Sequence, residues 1–184
     1  MARATIILLN GVGSAGKSSL AKALQAQLAA PYLHVAMDAF LEMMPLKTLG
    51  TPEGLTFETV VEDGHPAVIV HSGAAQERAL RGMRHAVAAM ANIGCDMIVD
   101  EVVLADVSEE YRALLAAHRL FVVGVHASLD VLEARETARG DRAIGLARWQ
   151  FPRVHAGVRY DFELDTGTAT PEECARAIVE RFGL

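Results

Sequence analysis

Nine residues near the start of the chain, Gly11-Val12-Gly13-Ser14-Ala15-Gly16-Lys17-Ser18-Ser19, carry the G-x-x-x-x-G-K-[ST] spacing of a phosphate-cradling P-loop. Each residue type in it has a physical job. The glycines permit backbone angles that turn several N–H groups toward one anion. Lys17 supplies a positive charge for the outer phosphates, and the Ser18 hydroxyl is a ligand suited to Mg²⁺.

Three further groups of residues extend that chemistry. Asp38 follows an apolar run, and a carboxylate there can accept the proton of an attacking hydroxyl or orient it. The competing role for Asp38 is N-cap of the short helix that follows it. Asp100 ends another apolar run, as a Walker B carboxylate that holds a Mg²⁺ shell does; its neighbour Glu101 is open between metal and substrate. Arg135, Arg139 and Arg142 lie within eight positions, the first two on one helix face. A mobile arginine-rich lid of this kind neutralises a transferring phosphoryl group and excludes water. The plainer alternative is a solvated helix end with weak ion pairs.

Other reactive residue types read as structural. His34, His65, His71, His126 and His155 are scattered without a zinc spacing. Met37, Met43 and Met44 with Phe40 and Leu41 line an apolar pocket or simply pack. Cys95 and Cys174 have no metal-ligand spacing and are expected as buried, reduced thiols.

The elements that must position these residues alternate along the chain. Ala4–Leu9 is a short apolar run suited to a buried parallel strand, and Ser18–Leu28 is a helix with Leu20, Leu24 and Leu28 on one face. Strand, glycine loop and helix set a helix N-terminus against phosphate. Further strands are expected at Tyr32–Ala36, Met97–Val99, Leu120–Val125 and Tyr160–Leu164. Further helices are expected at Asp38–Met44, Ala74–Ile93 closed by Gly94, Ser108–His118 with Ser108 as N-cap, and from Ser128. The last helix begins at Pro171 and runs through Phe182. Residues 46–71 interrupt this order as an insertion. Within it Thr56–Val61 and Ala67–Val70 pair as a hairpin around residues 62–66. Strands followed by helices imply a parallel sheet covered on both faces, with right-handed crossovers.

Composition narrows the class. The chain has 184 residues, 52% hydrophobic and 22% charged, as expected for one globular domain over residues 1–184. Its net charge of −6 argues against broad nonspecific binding to nucleic acid. No apolar stretch approaches the roughly 20 residues that span a bilayer. The N-terminal run is too short for a signal peptide and leads straight into the P-loop, so a cytoplasmic location is expected.

With these residues in view, the chain resembles the chloramphenicol phosphotransferase-like kinases along nearly its whole length. The matching stretches are Gly13–Ser18, Asp38–Lys47, Ile98–Val102, Arg135–Arg142 with Gly145 and Gln150, Val154–Val158 with Tyr160-Asp161, Asp165-Thr166 and Glu173–Ala175. The resemblance implies a shikimate-kinase-like core: a three-layer α/β P-loop kinase fold with a five-stranded parallel sheet and a mobile lid at about 135–150. It implies an ATP-dependent kinase that phosphorylates a primary hydroxyl of the antibiotic, a role in antibiotic resistance, and the insertion at about 46–71 on the substrate side. The family's proton-accepting aspartate falls on Asp38, its phosphate-contacting lysine on Lys17, and its lid arginines on Arg139 and Arg142. Adenine would lie between Arg135 and the loop after Asp165-Thr166.

The combined expectation is an O-phosphotransferase with catalytic residues Asp38, Lys17, Arg139 and Arg142. ATP binds Gly11, Val12, Gly13, Ser14, Ala15, Gly16, Lys17, Ser18, Ser19 and Arg135; Ser18 and Asp100 hold Mg²⁺. The partner is a small-molecule hydroxyl substrate, with no nucleic acid and no membrane, and a homo-oligomer is left open. Two alternatives remain: a kinase of another acceptor, such as a nucleoside, sugar or nucleotide-sugar, and a non-catalytic ATP-sensing module.

Overall fold

Ile6, Ile7, Leu8 and Leu9 are all fully buried, and they alternate between two separate apolar cores, one on each side of a sheet. That alternation is what a central parallel strand needs, because helices cover both of its faces. The structure, a computed structural model, describes residues 3–62, 64–140 and 143–184.

The central strand is β1 (Thr5–Asn10). It lies between β5 (Asp96–Glu101) and β6 (Arg119–His126), with β2 (Tyr32–Ala36) and β7 (Phe162–Asp165) at the edges. The order β2-β5-β1-β6-β7 is a five-stranded sheet, parallel throughout. Ile7 and Leu9 face a core shared with α1 (Lys17–Gln27), α5 (Leu129–Arg139), α6 (Leu146–Gln150) and α7 (Pro171–Phe182). Ile6 and Leu8 face a second core shared with α3 (Ala74–Asn92) and α4 (Ala105–Leu114). The result is the helix–sheet–helix sandwich expected from the alternating pattern.

The insertion forms its own two-stranded sheet, β3 (Leu55–Glu62) and β4 (His65–Ser72). The strands are antiparallel and Glu62 pairs with His65. His65 and Pro66 are therefore strand residues and not part of the turn. Gly64 takes a positive φ of 79°, the conformation a tight hairpin demands. Asp63, also in the expected turn, lies outside the described residues.

Among the boundaries that differ from expectation, two starts move for identifiable physical reasons, and the helix expected to reach His118 ends at Leu114. The helix expected to start at Ser108 starts at Ala105, with Leu104 at the cap position. Its first-turn acid is Asp106, so the favourable charge at the positive helix end comes from there. Ser108 is interior and buried, and its Oγ has no hydrogen bond among the described residues. The last strand begins at Phe162, not Tyr160. Before it, the Asp161 carboxylate accepts the Val122 N–H at 2.7 Å, so a side chain takes the place of a ladder carbonyl. Elsewhere Pro171 opens α7 as expected, with a reciprocal capping box between Thr170 and Glu173. Cys174 is buried and Cys95 half-buried, and both are free.

Candidate active site

Because β1, β2 and β5 are neighbours and parallel, their carboxyl ends open on one edge, where ligands bind in such sheets. The P-loop follows β1, α2 (Met37–Glu42) follows β2, and Asp100-Glu101 end β5. A cavity of about 780 Å³ opens there. Gly13, Ser14, Gly16, Lys17, Ser18 and Ser19 line it, with Met37, Asp38, Asp100, Glu101, Arg135, Arg139 and the loop Thr166–Pro171. Gly11, Val12 and Ala15 sit beneath the loop: Gly11 abuts the Val125 carbonyl so closely that no Cβ fits, and Val12 and Ala15 are buried in the core.

The loop is wound as an anion cradle. Gly16, at the cap position of α1, has φ 86° and no side chain to cap the helix. The leading N–H groups of α1 thus face the cavity side, where an anion would satisfy them. Ser14 also has a positive φ of 65°, costly for a residue with a Cβ. Its type carries no sign of that in the sequence. Lys17 Nζ donates to the carbonyls of Gly11 (2.8 Å) and Val12 (3.1 Å) and lies 4.0 Å from Asp100 Oδ1.

Ser18 Oγ donates to Asp100 Oδ2 at 2.7 Å. Burial opposes ionisation of Asp100, yet His34, Lys17 and Ser18 around it outweigh burial and hold its carboxyl below the usual range. An ionised carboxylate beside a hydroxyl is a hard-oxygen donor pair that fits Mg²⁺, which takes few protein ligands and completes its shell with phosphate and water. His34 Nε2 stands 3.5 Å from Asp100 Oδ2, a neighbour the scattered histidines did not single out.

Glu101 is directed elsewhere. It accepts the Tyr111 hydroxyl at 2.6 Å and faces Arg84 at 3.4 Å; Arg84 also donates to Glu110 at 2.6 Å. Burial raises its pKa against those partners. Its carboxylate thus ties β5 to α3 and α4 while its edge borders the cavity.

Asp38 borders the same cavity from the first turn of α2. The cap position there is Ala36, without a side-chain cap, so the competing N-cap role for Asp38 is not the one it has. Met37 borders the cavity too, and with Phe40 packs against the second core. Met43 is 68% exposed, so the methionines do not form one packed group.

Arg135 donates to the Thr166 carbonyl (2.7 Å) and hydroxyl (3.2 Å), and that hydroxyl donates to the Ala15 carbonyl at 2.7 Å. The base of the arginine segment is thereby tied to the P-loop. Arg139 is the last residue of α5, exposed and on the cavity rim, and Gly140 ends the helix with φ 68°. Arg142 lies outside the described residues.

Two residues with no assigned role anchor the loop. Asn10 Nδ2 donates to the Val103 and Val154 carbonyls (3.0 and 3.2 Å) and the Tyr160 hydroxyl (2.8 Å); its Oδ1 accepts from Val103 N at 2.7 Å. Its one sequence signal was a polar residue closing an apolar strand. The second is Gln150, whose Oε1 accepts the Gly13 N–H at 2.7 Å.

Comparison with known proteins agrees with this geometry. The model of the chloramphenicol phosphotransferase-like protein family matches residues 4–183. A Mycobacterium tuberculosis H37Rv protein named "Putative O-phosphotransferase Rv2636" is 37% identical over 193 residues, 99% of this chain and 84% of that protein. The fold is shared with the APS kinase CysC of M. tuberculosis, solved with AMPPNP and APS: TM-score 0.63, 17% identity, 100% of both chains. It is shared as well with shikimate kinase from Acinetobacter baumannii, solved with shikimate: TM-score 0.60, 14% identity, 97% of this chain and 93% of that one. No helix among the described residues is long and apolar enough to cross a membrane. The chain therefore belongs to the chloramphenicol phosphotransferase-like protein family and is a P-loop, ATP-dependent phosphotransferase with a hydroxyl acceptor.

Proposed function

We propose that the chain transfers the γ-phosphoryl group of ATP to a hydroxyl of chloramphenicol or a chloramphenicol-like compound, with Asp38 as proton acceptor. One observation carries this reading: the P-loop and Asp38 line the same cavity. Asp38 takes the hydroxyl proton as the acceptor oxygen bonds to phosphorus, the bond to the β-phosphate oxygen breaks, and ADP leaves. Lys17 and the α1 amides hold the phosphates. Ser18 and Asp100 would hold Mg²⁺, which would supply positive charge to neutralise the phosphates.

Arg135 positions the adenine side through Thr166, and the end of α5 with Arg139 and Arg142 forms the lid, within residues 135–150, that neutralises the moving charge. The insertion of residues 46–71 provides the acceptor side. Exposed Leu46, Leu49 and Phe57 there (82%, 54% and 52%) stand outside the cavity lining but give the insertion an apolar surface, which favours an acceptor with an apolar ring over a phosphorylated metabolite.

The test is a panel of hydroxyl compounds incubated with purified protein, ATP and Mg²⁺, read by ADP release and by the mass of the acceptor. Chloramphenicol or a close analogue should gain a phosphoryl group. Transfer to sugars or nucleosides alone would overturn the acceptor assignment. ATP binding with no transfer to any acceptor would overturn the transfer chemistry.

A further inference from the structure

The short helix α6 is gripped at both ends. At its far end Gln150, 9% exposed, accepts the Gly13 amide. At its start the amides of Gly145 and Ala147 each donate at 2.8 Å to the two oxygens of Glu136, a side chain on α5 that is 2% exposed. The Gly145 carbonyl in turn accepts the Val68 N–H of β4 at 2.9 Å. Gly145 has φ 100°, and a Cβ there would stand 2.6 Å from the Pro66 carbonyl. Only a glycine lets the hairpin approach so closely. One short helix is thus hydrogen-bonded to the P-loop, to the base of the arginine segment and to the β3–β4 hairpin.

We propose that Gln150 is a positioning residue for the phosphoryl donor, fixing the entrance of the P-loop at Gly13, and that α6 transmits its hold to the β3–β4 hairpin. This rests on the P-loop being the nucleotide site. A glycine amide at the mouth of a flexible loop has many orientations; a buried side-chain acceptor selects one, and the remaining loop amides are then arrayed for phosphate before it arrives. Gln150 touches the loop backbone and no reacting atom, so its effect is on the binding of nucleotide and on the order of the hairpin.

The test uses a fluorescent ADP analogue with Mg²⁺ and amide hydrogen exchange on the full chain. Wild-type protein should bind the analogue, and binding should slow exchange across residues 65–72. Gln150→Leu should weaken binding about tenfold, as expected for the loss of one organising hydrogen bond. It should speed exchange at Gly13 and abolish the nucleotide-dependent protection of the hairpin. Gln150→Glu, which keeps an acceptor oxygen, should restore slow exchange at Gly13, a rescue that a purely space-filling role would not produce. Failure of the wild type to bind the analogue would sink the nucleotide site itself. Binding by Gln150→Leu within twofold of the wild type, or a hairpin indifferent to nucleotide in the wild type, would overturn the role of Gln150. Should Gln150→Leu not fold, Val68→Pro cuts the link at its other end by removing the amide given to Gly145. It should bind ADP normally and lose hairpin protection, and retained protection would overturn the coupling.

Discussion

The hydroxyl of Ser18, in the first turn of the helix that follows β1, and the carboxylate of Asp100, at the end of the neighbouring strand β5, share a 2.7 Å hydrogen bond. They are 82 positions apart in sequence, and the parallel pairing of the two strands is what brings them together. Asp100 stays ionised despite burial because His34, Lys17 and Ser18 surround it. A preformed anionic pair of this kind would take up Mg²⁺ without first losing a proton. Asp100→Asn should raise the Mg²⁺ concentration for half-maximal turnover by at least about tenfold, while the variant unfolds as cooperatively as the wild type. Activity titrated with Mg²⁺ at saturating ATP checks this, and an unchanged midpoint would remove Asp100 from the metal shell.

Asp38→Ala should fold and bind ATP yet lose at least about 100-fold in turnover, the usual contribution of a general base. Asp38 is not the N-cap of α2, so its removal costs the helix no capping bond, and urea unfolding of the variant measures any stability change beside the catalytic one. Single-turnover phosphoryl transfer, measured beside nucleotide affinity, separates the two.

What the sequence made legible follows from how local each signal is. The P-loop and α1 are contiguous, so nine residues with a fixed spacing were enough. The sheet and its helices followed from apolar runs alternating with helical patterns. The anchors of the site were not visible because their partners are remote. Asn10 reaches Val103 and Val154, 93 and 144 positions away, and Gln150 reaches Gly13, 137 positions away. A single polar residue gives no periodicity to betray such a partner. Ser108 misled for the opposite reason. It is a good cap by type, yet its Oγ is buried in the interior of α4, and tertiary packing overrode the local preference.

Tyr111→Phe should destabilise the fold without touching the phosphate cradle. The Tyr111 hydroxyl is the closest donor to the buried Glu101 carboxylate, at 2.6 Å. Removing it leaves that carboxylate with Arg84 at 3.4 Å. Stranding part of a buried charged acceptor costs about 1–3 kcal/mol, and urea unfolding should show it as a lowered midpoint with the slope unchanged. The affinity for ADP should stay within about twofold, a change of under 1 kcal/mol. A drop in affinity beyond that would mean that Glu101 faces ligand and not only α3 and α4.

The histidine beside Tyr160 should set an acid limit on stability. Asn10 Nδ2 can only donate, so the Tyr160 hydroxyl accepts from it at 2.8 Å and donates to His155 Nδ1 at 2.7 Å. His155 is therefore neutral with its proton on Nε2, and a second proton on Nδ1 would remove the acceptor that Tyr160 uses. Burial, then the neighbouring His126 and Lys17, lower its pKa from 6.5 to about 4. His126 stacks on the His155 ring at 4.0 Å and pairs with Glu163 at 2.9 Å. In the unfolded chain His155 takes up a proton near its ordinary value, whereas in the folded chain it resists to about 4. As pH falls through that window the unfolded state binds more protons, so stability present above pH 6.5 is lost progressively down to about 4. His155→Gln keeps an acceptor for Tyr160 and removes the titration. Its thermal midpoint should fall less than that of the wild type between these two pH values, with the two proteins diverging most at the acid end. Parallel melting curves across the range would show that His155 is protonated equally in both states and has no part in the acid sensitivity.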